Sequence, residues 1–142
     1  MEYREIVPAD CAELAKIYAD AFNAEPWFEK WSVKTAGKRL SVMIGNGGFF
    51  GLAAVLDGEI AGMIMGDEKQ YYDGVVFTVN EFCVKNELRG KGIGTALFGE
   101  FERRIKAKGL RAIELCTIPE DEAFYKKLGF EVGGAIMMGK EL

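Results

Sequence analysis

Histidine is missing from all 142 residues. That removes the commonest general base near neutral pH and any His-ligated metal site. Acid–base chemistry is left to carboxylates, tyrosine, lysine, cysteine or water. Cysteine is scarce. Cys11, Cys83 and Cys116 are widely separated and match no zinc or redox spacing, so they read as small buried apolar residues in a reducing compartment, and no metal is expected. No apolar run is long enough to span a bilayer, and the N-terminus opens on charged residues rather than a signal peptide. A cytoplasmic chain with no membrane partner is expected. With a formal net charge of −4, nucleic acid is not an expected partner on bulk electrostatics. There is no internal repeat, low-complexity segment or interdomain linker, so residues 1–142 read as a single domain with a sizeable core.

Hydrophobic periodicity and turn residues place the elements. Residues 3–7 alternate as a first strand. A helix follows from Cys11, with Asp10 as its cap, Glu13 reaching back, and Leu14, Ile17, Tyr18, Ala21 and Phe22 on one face. Ser32 caps a second helix that runs to about Ile44. Residues 49–56 and 59–65 form a hairpin across Asp57-Gly58. Residues 67–74 read as a polar, aromatic loop, and 77–84 as the next strand. A helix with Ile93, Leu97, Phe101 and Ile105 buried ends at Gly109. Residues 111–116 form a strand, a short helix starts at Pro119, and 130–138 form a final strand. The order β-α-α-β-β-β-α-β-α-β predicts an α/β mixed sheet, mostly antiparallel, with helices on both faces.

The most informative stretch is Arg89-Gly90-Lys91-Gly92-Ile93-Gly94-Thr95, between an apolar strand and a helix. Glycines let the backbone approach a ligand. The helix start offers unpaired N–H groups and the positive end of its dipole, a site for a pyrophosphate. Arg89 and Lys91 add charge and Thr95 a hydroxyl. A P-loop requires Gly-Lys-Ser/Thr, but Gly90-Lys91 is followed by Gly92. A dinucleotide fingerprint from Gly90 would end on Thr95, and from Gly92 on Leu97; neither fits.

Arg-x-x-Gly-x-Gly after a strand resembles the acyl-CoA pyrophosphate loop of the GNAT N-acyltransferase superfamily. Ala123-Phe124-Tyr125-Lys126-Lys127-Leu128-Gly129-Phe130 is similar to that superfamily's second signature, a short helix carrying a tyrosine. The two occur in the superfamily's order and separation. The resemblance is good over about residues 75–130 and extends to the N-terminal half only in outline. It implies a six- to seven-stranded sheet and transfer of an acetyl group from acetyl-CoA to a primary amine, directly, in a ternary complex. It also implies that the strand before the loop splays from its neighbour, so that Phe82, Cys83 and Val84 offer backbone N–H groups to pantetheine and thioester. Residues 89–95 would hold the pyrophosphate. Many relatives carry an Asn at the start of the short helix; the stretch here is Ile118-Pro119-Glu120-Asp121, which puts one coenzyme A contact in doubt.

The chemistry needs three groups. Tyr125 matches the superfamily's tyrosine at the departing sulfur. A phenol near ~10 against a thiol near ~8.5 makes full proton transfer uphill by about 2 kcal/mol, so a hydrogen bond serves as well as protonation. Glu81 is the first choice of base: a carboxylate inside an apolar strand, which alternation puts on the face of Val79 and Cys83. Glu114 is second, and a water relay is a third route. The acceptor wall is expected at Trp27 and Trp31, within an aromatic and acidic segment, with Tyr72 opposite beside Tyr71 and Asp73. Aromatic faces with carboxylates suit an ammonium, pointing to a small cationic amine. The superfamily also allows a homodimer. The competing reading is a coenzyme A-binding sensor or scaffold without catalysis.

Overall fold

The computed structural model describes all 142 residues. Its elements are β1 (Glu2–Glu5), α1 (Cys11–Asn23), α2 (Val33–Ile44), β2 (Phe49–Leu56), β3 (Glu59–Tyr71), β4 (Gly74–Val84), α3 (Ile93–Ala107), β5 (Ala112–Leu115) and α4 (Glu122–Lys127). The five strands form one sheet in chain order. The first four pair antiparallel, and β5 joins β4 in parallel. No helix is long and apolar enough to cross a membrane.

Successive side chains on a strand point to opposite faces, so β2 and β3 feed two cores. On one face α1 and α2 bury Leu14, Ile17, Tyr18 and Leu40 against Ala53, Met63 and Met65. On the other, α3 buries Leu97, Phe101 and Ile105 against Phe50, Leu52, Ile64 and Phe77. Phe77 and Phe101 meet edge to face with centroids 5.2 Å apart, a favoured aromatic geometry. Ser32 caps α2 as expected: its Oγ accepts from Thr35 N at 3.0 Å. Asp10 does not cap α1. It lies in a short 3-10 turn, and its carboxylate accepts from both Arg4 amino groups (2.9 and 2.8 Å) and from Val7 N (2.8 Å). The bidentate pair ties β1 to the start of α1.

Two further expectations are corrected. Residues 67–74 are not a loop. β3 continues to Tyr71 and pairs with β4 through Glu68↔Phe77 and Tyr71↔Gly74. Backbone pairing carries the hairpin past the core, so its polar side chains lie exposed. The sheet has five strands, not six to seven: residues 130–138 form none, and 131–142 are exposed throughout. Gly133-Gly134 interrupts that segment, with a bend at Gly134. Glycine weakens a strand by its backbone entropy, and neither half of the segment joins β5.

One irregularity positions the site. The β3–β4 register runs Met65↔Glu81 and then Gly66↔Val79, so Asn80 is an extra residue, a β-bulge. Val79 therefore stays with Phe77 on the α3 face, while Cys83 packs on the α1/α2 face, where Glu81 meets Tyr18 of α1. The expected shared face of Val79, Glu81 and Cys83 is thus wrong. A bulge shifts side-chain alternation by one residue, and period-2 counting cannot see it. Opposite the bulge sits Gly66, where a Cβ would overlap the carbonyl oxygen of Thr78.

Candidate functional site

β4 and β5 pair only from Val76↔Ala112 to Val79↔Leu115. Beyond the bulge, β4 pairs with β3 alone and leaves β5. A cleft of about 310 Å³ opens in the gap, lined by Glu81, Phe82, Thr117, Asp121 and Tyr125 among others. A second, of about 470 Å³, continues from it along Phe82, Cys83 and Val84 to Arg89, Gly90, Gly92, Ile93, Gly94 and Thr95. Trp27, Phe82, Asp121 and Tyr125 line both. The structure therefore brings together Glu81, Tyr125, Trp27, the strand end and most of the glycine loop.

The loop has the shape its sequence suggests. Gly90 and Gly92 have φ of +74° and +80°, and a Cβ at either would meet nothing within 4 Å. These glycines are required by backbone conformation, and the space before them is open to a ligand. The first helical bond is Ala96 N to Gly92 O at 3.1 Å, so the amides of residues 93–95 lie ahead of the ladder, unpaired. Lys91 is exposed. Arg89 is turned away from the α3 N-terminus: Nη1 donates to Glu25 O at 3.0 Å, Nη2 to Ala21 O at 3.4 Å, and the guanidinium lies 5.3 Å from the Trp27 ring centroid. Its charge sits at the negative end of α1, and it fastens the loop to that helix. These residues fit an acyl-CoA pyrophosphate and pantetheine: unpaired amides, uncrowded glycines, and a cleft that runs from the loop to Tyr125.

Tyr125 stands in an aromatic box, with ring centroids at 5.2 Å to Phe124, 5.6 Å to Phe130 and 6.3 Å to Phe82. Burial, then Asp121 and Cys83, pushes its phenol up to about 12. Its hydroxyl bonds to no group of the chain, and no sealed side-chain oxygen lacks a partner, so it opens to the clefts it lines. Against a thiol near ~8.5, full proton transfer from this phenol would cost about 5 kcal/mol. A phenol raised this far keeps its proton near neutral pH and is able to donate a hydrogen bond into the cleft.

Glu81 is only 5% exposed. Its Oε1 accepts from Arg39 Nε at 2.6 Å and from the Tyr18 hydroxyl at 3.2 Å. Burial raises the Glu81 carboxyl pKa, and Arg39 and then Tyr18 oppose the rise. Burial likewise raises Cys83 and Tyr18, in both cases as the leading cause, so Glu81 is the group among these three suited to ionise. Sequence reasoning missed Arg39 and Tyr18. Both stand one residue from, or within, the buried stripe of their helix, but nothing in the sequence links them to position 81.

Other expected residues lie elsewhere. Trp31 packs edge-on against Tyr18 at 5.1 Å, 5.8 Å from the Arg39 guanidinium, so it walls the Glu81 pair. Tyr72 is fully exposed at the β3–β4 turn and is not brought to either cleft. Asp73 pairs with Arg111. Glu114 accepts from Thr78 and Tyr71 at 2.9 and 3.1 Å beside a different cleft, along the outer edge of β5. It does not meet Tyr125. Asp121, in the stretch Ile118 to Asp121, lines both site clefts, and burial raises its carboxyl pKa. No group of three or more Cys, Asp or Glu gathers as a metal site.

Similar folds occur among solved structures. A possible acetyltransferase from Clostridium difficile 630 superposes with a TM-score of 0.84 at 18% identity, covering 99% of this chain and 97% of that one. A ribosomal-protein-alanine N-acetyltransferase from Brucella melitensis biovar Abortus 2308 gives 0.78 at 16% identity, covering 100% of each. An aminoglycoside acetyltransferase from an uncultured soil metagenomic sample gives 0.72 at 18% identity, covering 99% and 97%. At these identities the likeness is one of fold. The model of the acetyltransferase (GNAT) family matches residues 11–130, from the start of α1 to the end of the tyrosine-bearing segment. With most of the chain matched, the protein belongs to the GNAT acetyltransferase family.

Proposed function

We propose that the protein is an N-acetyltransferase of the cytoplasm that moves an acetyl group from acetyl-CoA to a small primary amine. One observation supports this above the rest: Glu81, Tyr125 and the glycine loop lie along one continuous pair of clefts, opened where β4 leaves β5. Bound acetyl-CoA would supply the activated acyl carbon. The amides of residues 93–95 hold its pyrophosphate, and the strand end at Phe82 to Val84 offers N–H groups to the arm and the thioester oxygen. Glu81, ionised, takes the proton that the amine must lose. Tyr125 donates a hydrogen bond to the sulfur as the C–N bond forms and the C–S bond breaks. Direct transfer suits a chain with no histidine and with its cleft-side Cys83 held as a thiol by burial.

Screening an amine panel for release of free coenzyme A tests the reading, together with Tyr125→Phe. Turnover of an amine that drops about 10- to 100-fold in Tyr125→Phe, with coenzyme A affinity unchanged, is expected. Unchanged turnover removes the role of Tyr125. Coenzyme A binding without turnover of any amine favours the sensor reading. Larger thermal stabilisation by ATP or NAD than by coenzyme A excludes both.

A further inference from the structure

Next to the Glu81–Arg39 pair lies a third cleft of about 580 Å³, lined by Arg39 but not by Glu81 or Tyr125. One face of α2 lines it at helical spacing, Thr35, then Lys38 and Arg39, then Val42 and Met43, and Asn46 follows just past the helix end. Asn80, the bulged residue, completes it and also lines the Glu81 cleft, so the two open beside each other. The lining holds two cations and no carboxylate. Arg39 commits Nε to Glu81, and that is its only ion pair. Its Nη groups donate to no carboxylate or carbonyl of the chain, and the Tyr18 hydroxyl stands against the same guanidinium. The guanidinium is held by Glu81 on one edge and set near the Trp31 ring at 5.8 Å. The Arg39 side chain as a whole is 46% exposed, so the guanidinium is oriented yet reachable from solvent.

We propose that this cleft binds a carboxylate of the acceptor, so that the amine transferred to is one that carries an acid group, such as a free amino acid. A planar guanidinium edge matches a carboxylate bidentately, and Lys38 adds a point charge. The positive charge is local to the Lys38 and Arg39 edge, with Glu81 and Glu29 behind the guanidinium and Asp67 bonded to Asn80, so the edge suits a single carboxylate. An α-amino group is one carbon removed from its carboxylate. With the carboxylate on Arg39, the amine falls within reach of the Glu81 carboxylate that Arg39 touches. The inference rests on the acyl-transfer reading, and it replaces the expected cationic acceptor with a zwitterionic one.

The experiment compares free amino acids with their own carboxamides, and with the polyamine spermidine, by coenzyme A release. The same ligands are titrated calorimetrically into the protein saturated with coenzyme A. The amide's amine is less basic and more easily deprotonated, so a preference for the acid cannot come from amine reactivity. At least 10-fold higher kcat/KM for the acid is expected. Lys38→Glu should shrink that preference several-fold through KM, with coenzyme A affinity unchanged. Arg39→Lys, which keeps a cation for Glu81 but loses the planar edge, should shrink it too. Equal or better turnover of amides or spermidine overturns the carboxylate site and keeps the transferase. Tight acid binding, lost in Lys38→Glu but without turnover of any amine, keeps the site and overturns the transferase. Neither binding nor turnover of any ligand overturns both, as does a preference that neither variant alters for the site alone.

Discussion

The two halves of β4 follow different rules. From Val76 to Val79 the strand has neighbours on both sides, β3 and β5, and its alternate side chains fill the α3 core. From Asn80 to Val84 it has β3 alone, its alternation is shifted by the bulge, and it carries the buried carboxylate of Glu81. The first half stabilises the fold. The second has given up its pairing with β5, and backbone polar groups left unpaired by a neighbouring strand are available to a ligand. One residue, Asn80, separates the two regimes.

That division can be broken by substitution. The largest effect is expected upstream. Phe77→Ala removes a fully buried ring between Phe50 and Phe101 and should cost about 3–5 kcal/mol in denaturant unfolding. A loss below about 1 kcal/mol would mean that the upstream half is not the structural one. Downstream, Glu81→Gln keeps the shape and should lower kcat/KM about 100-fold or more while leaving cooperative unfolding intact.

The same variant carries a pH signature. Burial raises the Glu81 carboxyl above its ordinary value of 4.5. The folded chain then binds more protons than the unfolded one across that window, so the group's contribution to stability is present below 4.5 and lost as pH rises through the folded value. Activity runs the opposite way, since the ionised form is the base. Wild-type kcat/KM should therefore fall on acidification along a limb lying above 4.5 that Glu81→Gln lacks, measured across a buffered pH series. A limb retained in the variant assigns the proton to another group.

Smaller effects sharpen the contrast. Tyr125→Phe should change turnover and not stability, because its hydroxyl bonds to nothing in the chain. Gly92→Ala should cost about 1–2 kcal/mol by forcing a side chain into left-handed backbone, and should weaken coenzyme A affinity by disordering the loop. Stability loss with unchanged affinity would separate the loop from the cofactor.

Much of the site was readable because it is local. The loop needs left-handed glycines, and a helix start needs unpaired amides, whatever surrounds them. Tyr125 was legible through the motif around it. Contacts across the chain were not. Arg39 and Tyr18 lie 42 and 63 residues from Glu81, and no periodicity encodes such pairs. Arg89 was legible as a cation but not as a clasp on α1. Tyr72 shared the aromatic composition of Trp27 and yet stands at an exposed turn.

By itself, the sequence determined most element types through hydrophobic period and turn chemistry, the glycine loop at a helix start, and the absence of histidine from any proposed proton path. Tertiary structure alone decided the bulge at Asn80, the missing last strand, and the partners of Glu81. The reason is physical: register, pairing and burial depend on what lies opposite a residue. A carboxylate in an apolar strand signals only that something must meet it, and here that something is Arg39.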